Sequence, residues 1–505
     1  MEGTIFSLVP PVIAIVMAVI TRRVLLSLGS GVVAGLLLVK DFSVIEGVKY
    51  VYDLAYAILT DTWYLYILLF LLLLGIISAL ITISGGARAF GDWAMERVKT
   101  RRGAKLLTIF LGLIIFIDDY FNSLTVGNVV RPLTDKHKIS RAKLAYFVDS
   151  TAAPICIVTP ISSWGAVIIG TIGGVLTTQG LTDIKAFSAF IEMIPMNFYF
   201  IYAILFVFAV AIFNLNIGPM KKHEEKALNE GIMFDASKAD APRPQEEVNQ
   251  NGRVFHLLLP FGSLIVTTLL AMIWTGINAI EEGPITALNV AENIDVTGSL
   301  LFGGLVSTIL TVILLLVTDN KVDKVGKGLY TGILSMLPTS IILIFAWILV
   351  TIISDLSTGE YLSGLVSKTS LNIAYLPVIV FLLAGVMAFS TGTSWGTFAI
   401  MLPIAGEIAG ATNIELILPM LAAVLAGSVF GDHASPISDT TILSSTGAGS
   451  PLIDHVVTQL PYALMVAAIS MVGYIVLGFT ASVMLALAIS FAVFIFTVLI
   501  LRKLS

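Results

Sequence analysis

The sequence predicts an all-α, polytopic membrane protein with about 11 transmembrane helices, two re-entrant hairpins and two inverted-topology repeats of five spans. Three observations predict this fold. Charged residues make up only 12% of the 505 residues, whereas soluble domains carry about 25%. Apolar runs long enough to cross a bilayer recur along the chain. Lys and Arg concentrate in alternate connections between those runs.

Eleven apolar segments fit full transmembrane helices. The clearest one, WYLYILLFLLLLGIISALITI over Trp63–Ile83, contains no charged residue. Backbone polar groups are not left unpaired in lipid, so each span is expected to be a helix. The predicted spans are 5–21, 26–40, 64–84, 143–172, 187–216, 254–278, 297–317, 329–354, 414–446, 459–479 and 480–501.

Two further apolar stretches, 106–133 and 373–403, have polar residues at their centres. A polar centre between two short helices is typical of a re-entrant hairpin, which is tolerated at membrane depth where protein or water surrounds it. We expect each hairpin to return to the side from which it came. The outer segments 41–63 and 279–296 are interpreted as interfacial helices or loops.

The distribution of basic residues predicts the orientation. With the N-terminus outside and both hairpins returning, the cytoplasmic connections hold 24 of the 28 Lys and Arg residues. The positive-inside rule therefore favours an external N-terminus and a cytoplasmic C-terminus in the cell (inner or plasma) membrane. The segment 1–20 lacks a basic region before its apolar run, so we interpret it as the first span and not as a signal peptide.

The same order of elements occurs twice. Three spans, a hairpin, a broken span and one more span make up 1–217 and again 253–479; a polar segment, 218–252, joins them and an extra helix lies in 480–505. Five crossings in each unit make the second unit inverted. PICIVTPISSWGA at 154–166 and PISDTTILSSTGA at 436–448 agree at seven of thirteen positions. Such repeats point to a transporter, and the polar segment is expected to be a mobile cytoplasmic linker.

Five carboxylates interrupt the apolar segments: Asp118, Asp119, Asp149, Asp432 and Asp439. Each costs at least ~2.5 kcal/mol at the centre of a lone helix, so such residues are functional candidates. The alternative is that some of them lie at the membrane surface or cap helices.

Four polar breaks surround these carboxylates: the two hairpin tips, 118–123 and 390–396, and one break in each of two spans. Pro436 predicts a helix break within 431–441, and a similar break is predicted at 149–154. Carbonyl, hydroxyl and carboxylate oxygens suit alkali cations, and half-helix N-termini favour anions. The binding candidates from the four breaks are Asp118, Asp119, Asn122, Ser123, Asp149, Thr151, Ser162, Ser163, Ser390, Thr391, Thr393, Ser394, Trp395, Asp432, His433, Ser435, Ser438, Asp439 and Thr440.

Four residues are candidates for proton coupling: Asp149, Asp432, Asp439 and His433. His433 titrates near neutral pH when unperturbed, although a neutral, hydrogen-bonded histidine is the alternative. A Na⁺ site is placed at Asp432, Ser435 and Asp439. Trp164 and Trp395 are interpreted as lining a cavity or as packing residues.

Several classes of function are disfavoured. The single Cys156 excludes an internal disulfide and a cysteine-only metal site. A metal site is also disfavoured, because no second intramembrane histidine is apparent beside His433. Ser, His and Asp in one motif do not define a hydrolase without geometry, and no GxxxxGK[ST] motif indicates ATP use. We therefore expect no enzyme, no organic cofactor and no nucleic-acid partner, with Na⁺ and H⁺ as coupling ions.

Three segments, GDHASPISDTTILSSTGAG, FIDDYFNSLTVG and STGTSWGTFAIMLPI, carry a resemblance to the NhaC family of sodium/proton antiporters, which covers roughly residues 5–480. The resemblance implies membership of the wider ion-transporter superfamily, with elevator-type motion against a dimeric scaffold, and hence a homodimer. The cation-site candidates that it implies are Asp118, Asp119, Asn122, Ser123, Asp149, Thr151, Thr393, Ser394, Asp432, Ser435, Ser438 and Asp439.

The leading hypothesis is a Na⁺/H⁺ antiporter that exchanges cytoplasmic Na⁺ for external H⁺ through membrane-buried carboxylates. The alternative is a Na⁺- or H⁺-coupled carrier or exchanger of a small organic solute, such as a dicarboxylate, lactate or an amino acid. The Ser, Thr and Trp residues of the second hairpin favour this alternative, and relatives of the resembled family include such carriers. A channel or sensor is a third class, which the buried carboxylates favour less.

Overall fold

The computed structural model describes residues 2–21, 24–181, 183–234, 252–280, 290, 293–319, 322–358, 361, 372–436 and 438–504. These residues form helices and connections, and no strand occurs among them. Twenty-one α-helices are named here in chain order.

Residues 2–234 contain twelve of them. They are α1 Val9–Thr21, α2 Val24–Val39, α3 Val44–Thr60, α4 Thr62–Ser84, α5 Gly86–Arg97, α6 Arg101–Ile114, α7 Asp119–Lys136, α8 Arg141–Cys156, α9 Ser163–Thr178, α10 Ala186–Met193, α11 Phe198–Phe213 and α12 Gly218–Asn229.

The second half contains nine. They are α13 Phe255–Asn278, α14 Val296–Asp319, α15 Val322–Asp355, α16 Leu376–Thr391, α17 Ser394–Thr412, α18 Ile417–Ala434, α19 Asp439–Ala448, α20 Leu452–Thr480 and α21 Val483–Leu504.

The chain is a multi-pass membrane protein. Within its described part, nine helices are long and apolar enough to cross a membrane, or ten if α2 and α3 form one broken span. The predicted number of eleven also counted α1 and the pair α8–α9, whose members are 13 to 16 residues long. It did not count Ile373–Thr391, which is one of the nine helices but was assigned to the second hairpin. That number therefore stays a prediction. So does the two-repeat division of the chain.

The two predicted hairpins correspond to α6–α7 and α16–α17. In each, the two helices contact one another, as a hairpin requires. In the first, the Asn122 side-chain amide of α7 donates to the carbonyls of Gly112 and Ile115 at the end of α6, both at 2.7 Å. This contact satisfies two C-terminal carbonyls that a helix end leaves open.

The break predicted at Pro436 is present, because α18 ends at Ala434 and α19 begins at Asp439. The break predicted at 149–154 is wrong. There α8 continues to Cys156 with Pro154 inside it, and the interruption falls at 157–162. Pro154 lies in the last turn of α8, where the missing N–H removes one hydrogen bond next to a helix end that would open anyway.

Two other expectations change. The predicted span 187–216 is two helices, α10 and α11, separated by a 3-10 turn at Ile194–Met196 that contains Pro195. The linker prediction is wrong for its first part, because Gly218–Asn229 is the helix α12 and packs on α8 and α20. Residues 235–251 of the linker, and most of the outer segment 279–296, lie outside the described residues.

The helices pack in two groups. Helix α4 contacts α14 and α15, and α13 contacts α14. The hairpins and the broken spans pack with α11 and α20. Helix α15 joins the groups through contacts with α9 and α17. The second group holds the polar residues singled out in the sequence.

Candidate functional site

The four breaks meet inside the second group of helices. The backbone N–H of Ser163, at the start of α9, donates to the carbonyl of Ile117 before α7 at 2.7 Å. The N–H of Asp439, at the start of α19, lies 3.4 Å from the carbonyl of Gly392 between α16 and α17. Each hairpin tip therefore contacts the break of a broken span.

The first hairpin tip presents two adjacent buried carboxylates. Asp118 caps α7 by accepting from the Phe121 N–H at 2.9 Å, and its other oxygen accepts from the Ser163 hydroxyl at 3.1 Å. Asp119 accepts from the indole N–H of Trp164 at 2.9 Å through Oδ1. The expected alternative for Asp118, a helix cap, is thus one of its roles, but the cap is buried and not at the surface.

The second broken span contributes Asp432 and Asp439. Oδ2 of Asp432 accepts from the Ser394 hydroxyl at 2.7 Å, so this carboxylate faces the tip of the second hairpin. Oδ1 of Asp439 accepts from the Thr440 N–H at 2.8 Å, and Oδ2 accepts from the Tyr120 hydroxyl. Asp439 thus joins the second broken span to the first hairpin.

Two of these carboxylates leave one oxygen without a donor. Oδ2 of Asp119 and Oδ1 of Asp432 are buried and have no hydrogen-bond partner among the described residues. Asp119 is also close enough to Asp118, Asp432 and Asp439 for their charges to interact. Within the described chain, no Lys, Arg or His forms an ion pair with any of the four. Like charges gathered in this way require protons or bound cations.

Asp149 differs because its carboxylate is surrounded by donors. Oδ1 accepts from the Ser444 hydroxyl at 3.2 Å. Oδ2 accepts from the Thr441 hydroxyl at 3.2 Å and from the Gln459 amide at 2.5 Å, and lies 3.2 Å from Nε2 of His455. Asp149 therefore ties α8 to α19 and α20.

His433 is held on both ring nitrogens. Nδ1 lies 2.8 Å from the Tyr199 hydroxyl, and Nε2 lies 3.0 Å from the Ser150 hydroxyl and 3.9 Å from the Asp149 carboxylate. The Gln459 amide also donates to the His433 carbonyl at 2.7 Å. The Gln459 side chain thus connects the Asp149 carboxylate with the backbone of His433, the residue after Asp432.

His455, Gln459 and Tyr199 belong to this cluster and were not predicted from sequence. The expectation that no second histidine accompanies His433 is wrong, because α20 begins at Leu452 and buries His455 completely against Asp149. A signal existed, since residues four apart on a helix share one face, and His455 and Gln459 have this spacing at the start of an apolar span. Tyr199 lies in an apolar helix and had no such signal.

Several predicted binding residues use their hydroxyls within their own helices. Thr151, Ser390 and Thr391 donate to carbonyls one turn earlier. The N-cap residues Ser162 and Ser438 accept from the N–H groups of α9 and α19. These contacts stabilise the ends of the half-helices and leave the carboxylates as the main chemical groups.

The remaining candidates have mixed environments. The Ser435 hydroxyl donates to the Phe389 carbonyl at 2.8 Å, and the Ser123 and Ser444 hydroxyl oxygens lie 3.2 Å apart. Thr393 precedes α17 without capping it. Trp164 and Trp395 pack together with ring centroids 5.1 Å apart, as the packing interpretation expects.

The predicted Na⁺ ligand set stays a prediction. Among the described residues, no three His, Cys, Asp or Glu side chains are grouped so that they could hold a metal ion together. A Na⁺ site here would therefore need carbonyl, amide or hydroxyl oxygens beside its carboxylates. The buried Oδ1 of Asn122 has no partner in the described chain and is one such oxygen.

Comparison with known proteins gives a consistent result. A sequence model described as the Na⁺/H⁺ antiporter family matches residues 155–479. An uncharacterized protein of Haemophilus influenzae is 48% identical over 508 residues, covering 98% of this chain and 96% of that protein. A malate-2H⁺/Na⁺-lactate antiporter of Bacillus subtilis is 33% identical over 131 residues, which cover 24% of this chain and 27% of that antiporter.

Solved structures share the fold. MtrF of Neisseria gonorrhoeae, from a class of antimetabolite efflux pumps, matches with a TM-score of 0.54 and 13% identity. The match covers 88% of this chain and 86% of that one. At this identity the likeness shows the fold alone.

Proposed function

The chain belongs to the Na⁺/H⁺ antiporter family, and from this premise we propose that it exchanges cytoplasmic Na⁺ for external H⁺. Secondary transport by a multi-pass membrane protein follows from the family. The identity of the exchanged ions and the direction of exchange are the proposal.

The buried oxygens of Asp119 and Asp432 carry this proposal. Each lacks a donor among the described residues, and a buried acceptor left unsatisfied costs about 1–3 kcal/mol, or more when charged. A proton or a cation would satisfy either oxygen. Since the two carboxylates interact electrostatically, binding of Na⁺ would favour release of a proton, and protonation would favour release of Na⁺.

The local backbone supports a cation at Asp432. This residue lies in the last turn of α18, three residues before the break. Open carbonyls and the helix dipole make a helix C-terminus favourable to cations. Asp149, whose two oxygens already accept from several donors, is assigned a positioning role and not that of the exchanged carboxylate.

The experiment is Na⁺-driven proton movement in proteoliposomes that contain a pH-sensitive dye. Wild type should change the internal pH when Na⁺ is added outside with no organic solute present. Asp119→Asn and Asp432→Asn should each reduce this flux at least tenfold while the protein still inserts and purifies. Asp92→Asn, at an exposed position of α5, is the matched control. Wild-type flux in both buried variants would remove these residues from the mechanism.

A second candidate is exchange of a small organic anion with Na⁺ and H⁺. It is favoured by the similarity of part of this chain to the malate-2H⁺/Na⁺-lactate antiporter. The same proteoliposomes test it. Proton movement that appears only when malate or lactate is supplied would replace simple Na⁺/H⁺ exchange with this reaction.

We also propose an external N-terminus, a cytoplasmic C-terminus and location in the cell membrane, with a homodimer moving by an elevator mechanism. Single cysteines at Lys136, after the first hairpin, and at Glu415, after the second, test the topology. A membrane-impermeant maleimide should label Lys136→Cys only from the cytoplasm and Glu415→Cys only from outside. Wild type is the control, because its Cys156 is buried. Labelling of both variants from one side would contradict the two returning hairpins.

A further inference from the structure

We propose that α3, residues Val44–Thr60, lies along the membrane–water interface with one face in contact with lipid. The helix follows α2 after a sharp bend of 119° and is followed directly by the membrane span α4. Its 17 residues correspond to about 25 Å of helix. The proposal distinguishes α3 from the second half of a broken span and from a re-entrant segment.

The residues of α3 separate into three faces when placed at 100° intervals around the helix. The face toward the protein contains Gly47, Val51, Leu54 and Ile58, which are buried or half-buried. The next face is exposed and apolar, with Val44, Ile45, Val48, Tyr52, Tyr56 and Leu59. The third face is exposed and polar, with Glu46, Lys49, Asp53 and Thr60.

This order of faces fits a bilayer surface. A helix that crosses lipid has no reason to keep a charged stripe beside an apolar one, whereas an interfacial helix needs both. The apolar face points away from the rest of the protein, and Ile45 on it is 86% exposed. Tyr52 and Tyr56 lie on it with their rings stacked 6.4 Å apart, and tyrosine is enriched at the level of lipid headgroups.

The helix is fixed in rotation, so its apolar face cannot turn toward the protein. A Cβ on Gly47 would lie 2.5 Å from Leu36 Cδ1, which shows how closely α3 approaches α2. Tyr50 donates through its hydroxyl to Asp355 at the end of α15. The Lys40 ammonium lies 4.8 Å from the centre of the Tyr50 ring.

The charges indicate which lipid surface fits. The segment 40–61 contains two lysines, Lys40 and Lys49, against the carboxylates Asp41, Glu46, Asp53 and Asp61. A net acidic helix is not attracted to anionic headgroups, so apolar burial must provide the association. The partner is therefore a zwitterionic or amine-bearing lipid surface, and the contact should not depend on salt.

The experiment is spin labelling of the full chain in phosphatidylcholine nanodiscs. Single cysteines replace consecutive residues of α3 from Ile45 to Leu59, and the accessibility of each label to oxygen and to a water-soluble nickel complex is measured. Leu69, an exposed residue in the middle of α4, is the control for lipid depth. Labels at Val48 and Tyr52 should show an oxygen-to-nickel ratio several-fold above that at Asp53.

The way in which label accessibility varies along α3 tests the proposal. An interfacial helix gives a ratio that oscillates with the helical period at constant mean depth, and adding phosphatidylglycerol should leave it unchanged. A depth that increases steadily along α3 would overturn the proposal in favour of a re-entrant or spanning segment. Exclusion of both reagents at Val48 and Tyr52, with spin–spin broadening between copies, would overturn it in favour of a contact between two chains.

Discussion

The hydroxyl of Tyr120 in the first hairpin donates a hydrogen bond to the carboxylate of Asp439 in the second broken span. The two residues are 319 positions apart in the sequence. The contact joins polar breaks from the two halves of the chain, so neither half forms this arrangement of carboxylates alone.

Removing the Tyr120 hydroxyl should impair transport. Tyr120→Phe deprives Asp439 of a donor, and hydrogen bonds to charged groups contribute about 1.5–3 kcal/mol. We therefore expect Na⁺-driven proton flux to fall roughly tenfold. The measurement is the proteoliposome assay, with Tyr330→Phe, at an exposed position of α15, as the control. Equal flux in wild type and Tyr120→Phe would show that this bond has no part in exchange.

Gln459 should act together with Asp149. Gln459→Leu removes the donor shared by the Asp149 carboxylate and the His433 carbonyl, so the protein should unfold at a lower temperature and the Na⁺ concentration for half-maximal flux should rise. In a double-mutant cycle with Asp149→Asn, the two effects should not add, because contacting residues couple by about 0.5–3 kcal/mol. Additive effects would mean that the two side chains act independently.

The contact between α7 and α19 should not tolerate a methyl group. A Cβ on Gly127 would lie 2.6 Å from the backbone carbonyl carbon of Gly447, and backbone atoms cannot move aside as a side chain can. Gly127→Ala should destabilise the protein by about 1–3 kcal/mol. Gly262→Ala in α13, with nothing within 4 Å of its Cβ, is the matched control. Thermal unfolding in detergent compares them, and identical midpoints would contradict the close approach.

The packing of α12 against the rest of the protein should depend on Glu224. Its carboxylate is 3.0 Å from the Lys143 ammonium and 2.7 Å from the Arg101 guanidinium, and it accepts from the Ser140 N–H at 2.8 Å. Glu224→Gln would leave the fully buried Lys143 without its counter-charge, and breaking such a pair typically costs about 3–5 kcal/mol.

The exposed neighbour Glu225 supplies the control for this prediction. Glu224→Gln should lower the thermal unfolding midpoint clearly, while Glu225→Gln should leave it within error of wild type. Limited proteolysis gives a second measurement, because release of α12 should expose it to cleavage. Equal midpoints and cleavage rates for the two variants would refute a docked α12.

Local sequence was enough for most helices. The predicted spans 64–84, 254–278 and 297–317 correspond to α4, α13 and α14 within a few residues, because long apolar runs require helices in lipid. The break at Pro436 was predictable because proline removes a donor. The break after Pro154 was misplaced because the residues that end α8 are fixed by neighbouring helices and not by proline alone.

The carboxylates themselves were found from sequence, because charge inside an apolar run is visible without a structure. Their separation into two environments could not be predicted from sequence. Asp119 and Asp432 each keep a buried oxygen without a described partner, whereas Asp149 is surrounded by Ser444, Gln459 and other donors. Every donor to the Asp149 carboxylate lies more than 290 positions away, and no local pattern encodes such distances.

By itself, the sequence determined that this is a helical membrane protein with acidic residues in interrupted, apolar segments. Composition and periodicity decide this, since long apolar runs in lipid form helices that pair their backbone groups within the same segment. Only the tertiary structure decided which carboxylates meet, which are satisfied and where α12 docks. Those outcomes depend on side-chain direction and on contacts between distant helices, which arise when the helices pack.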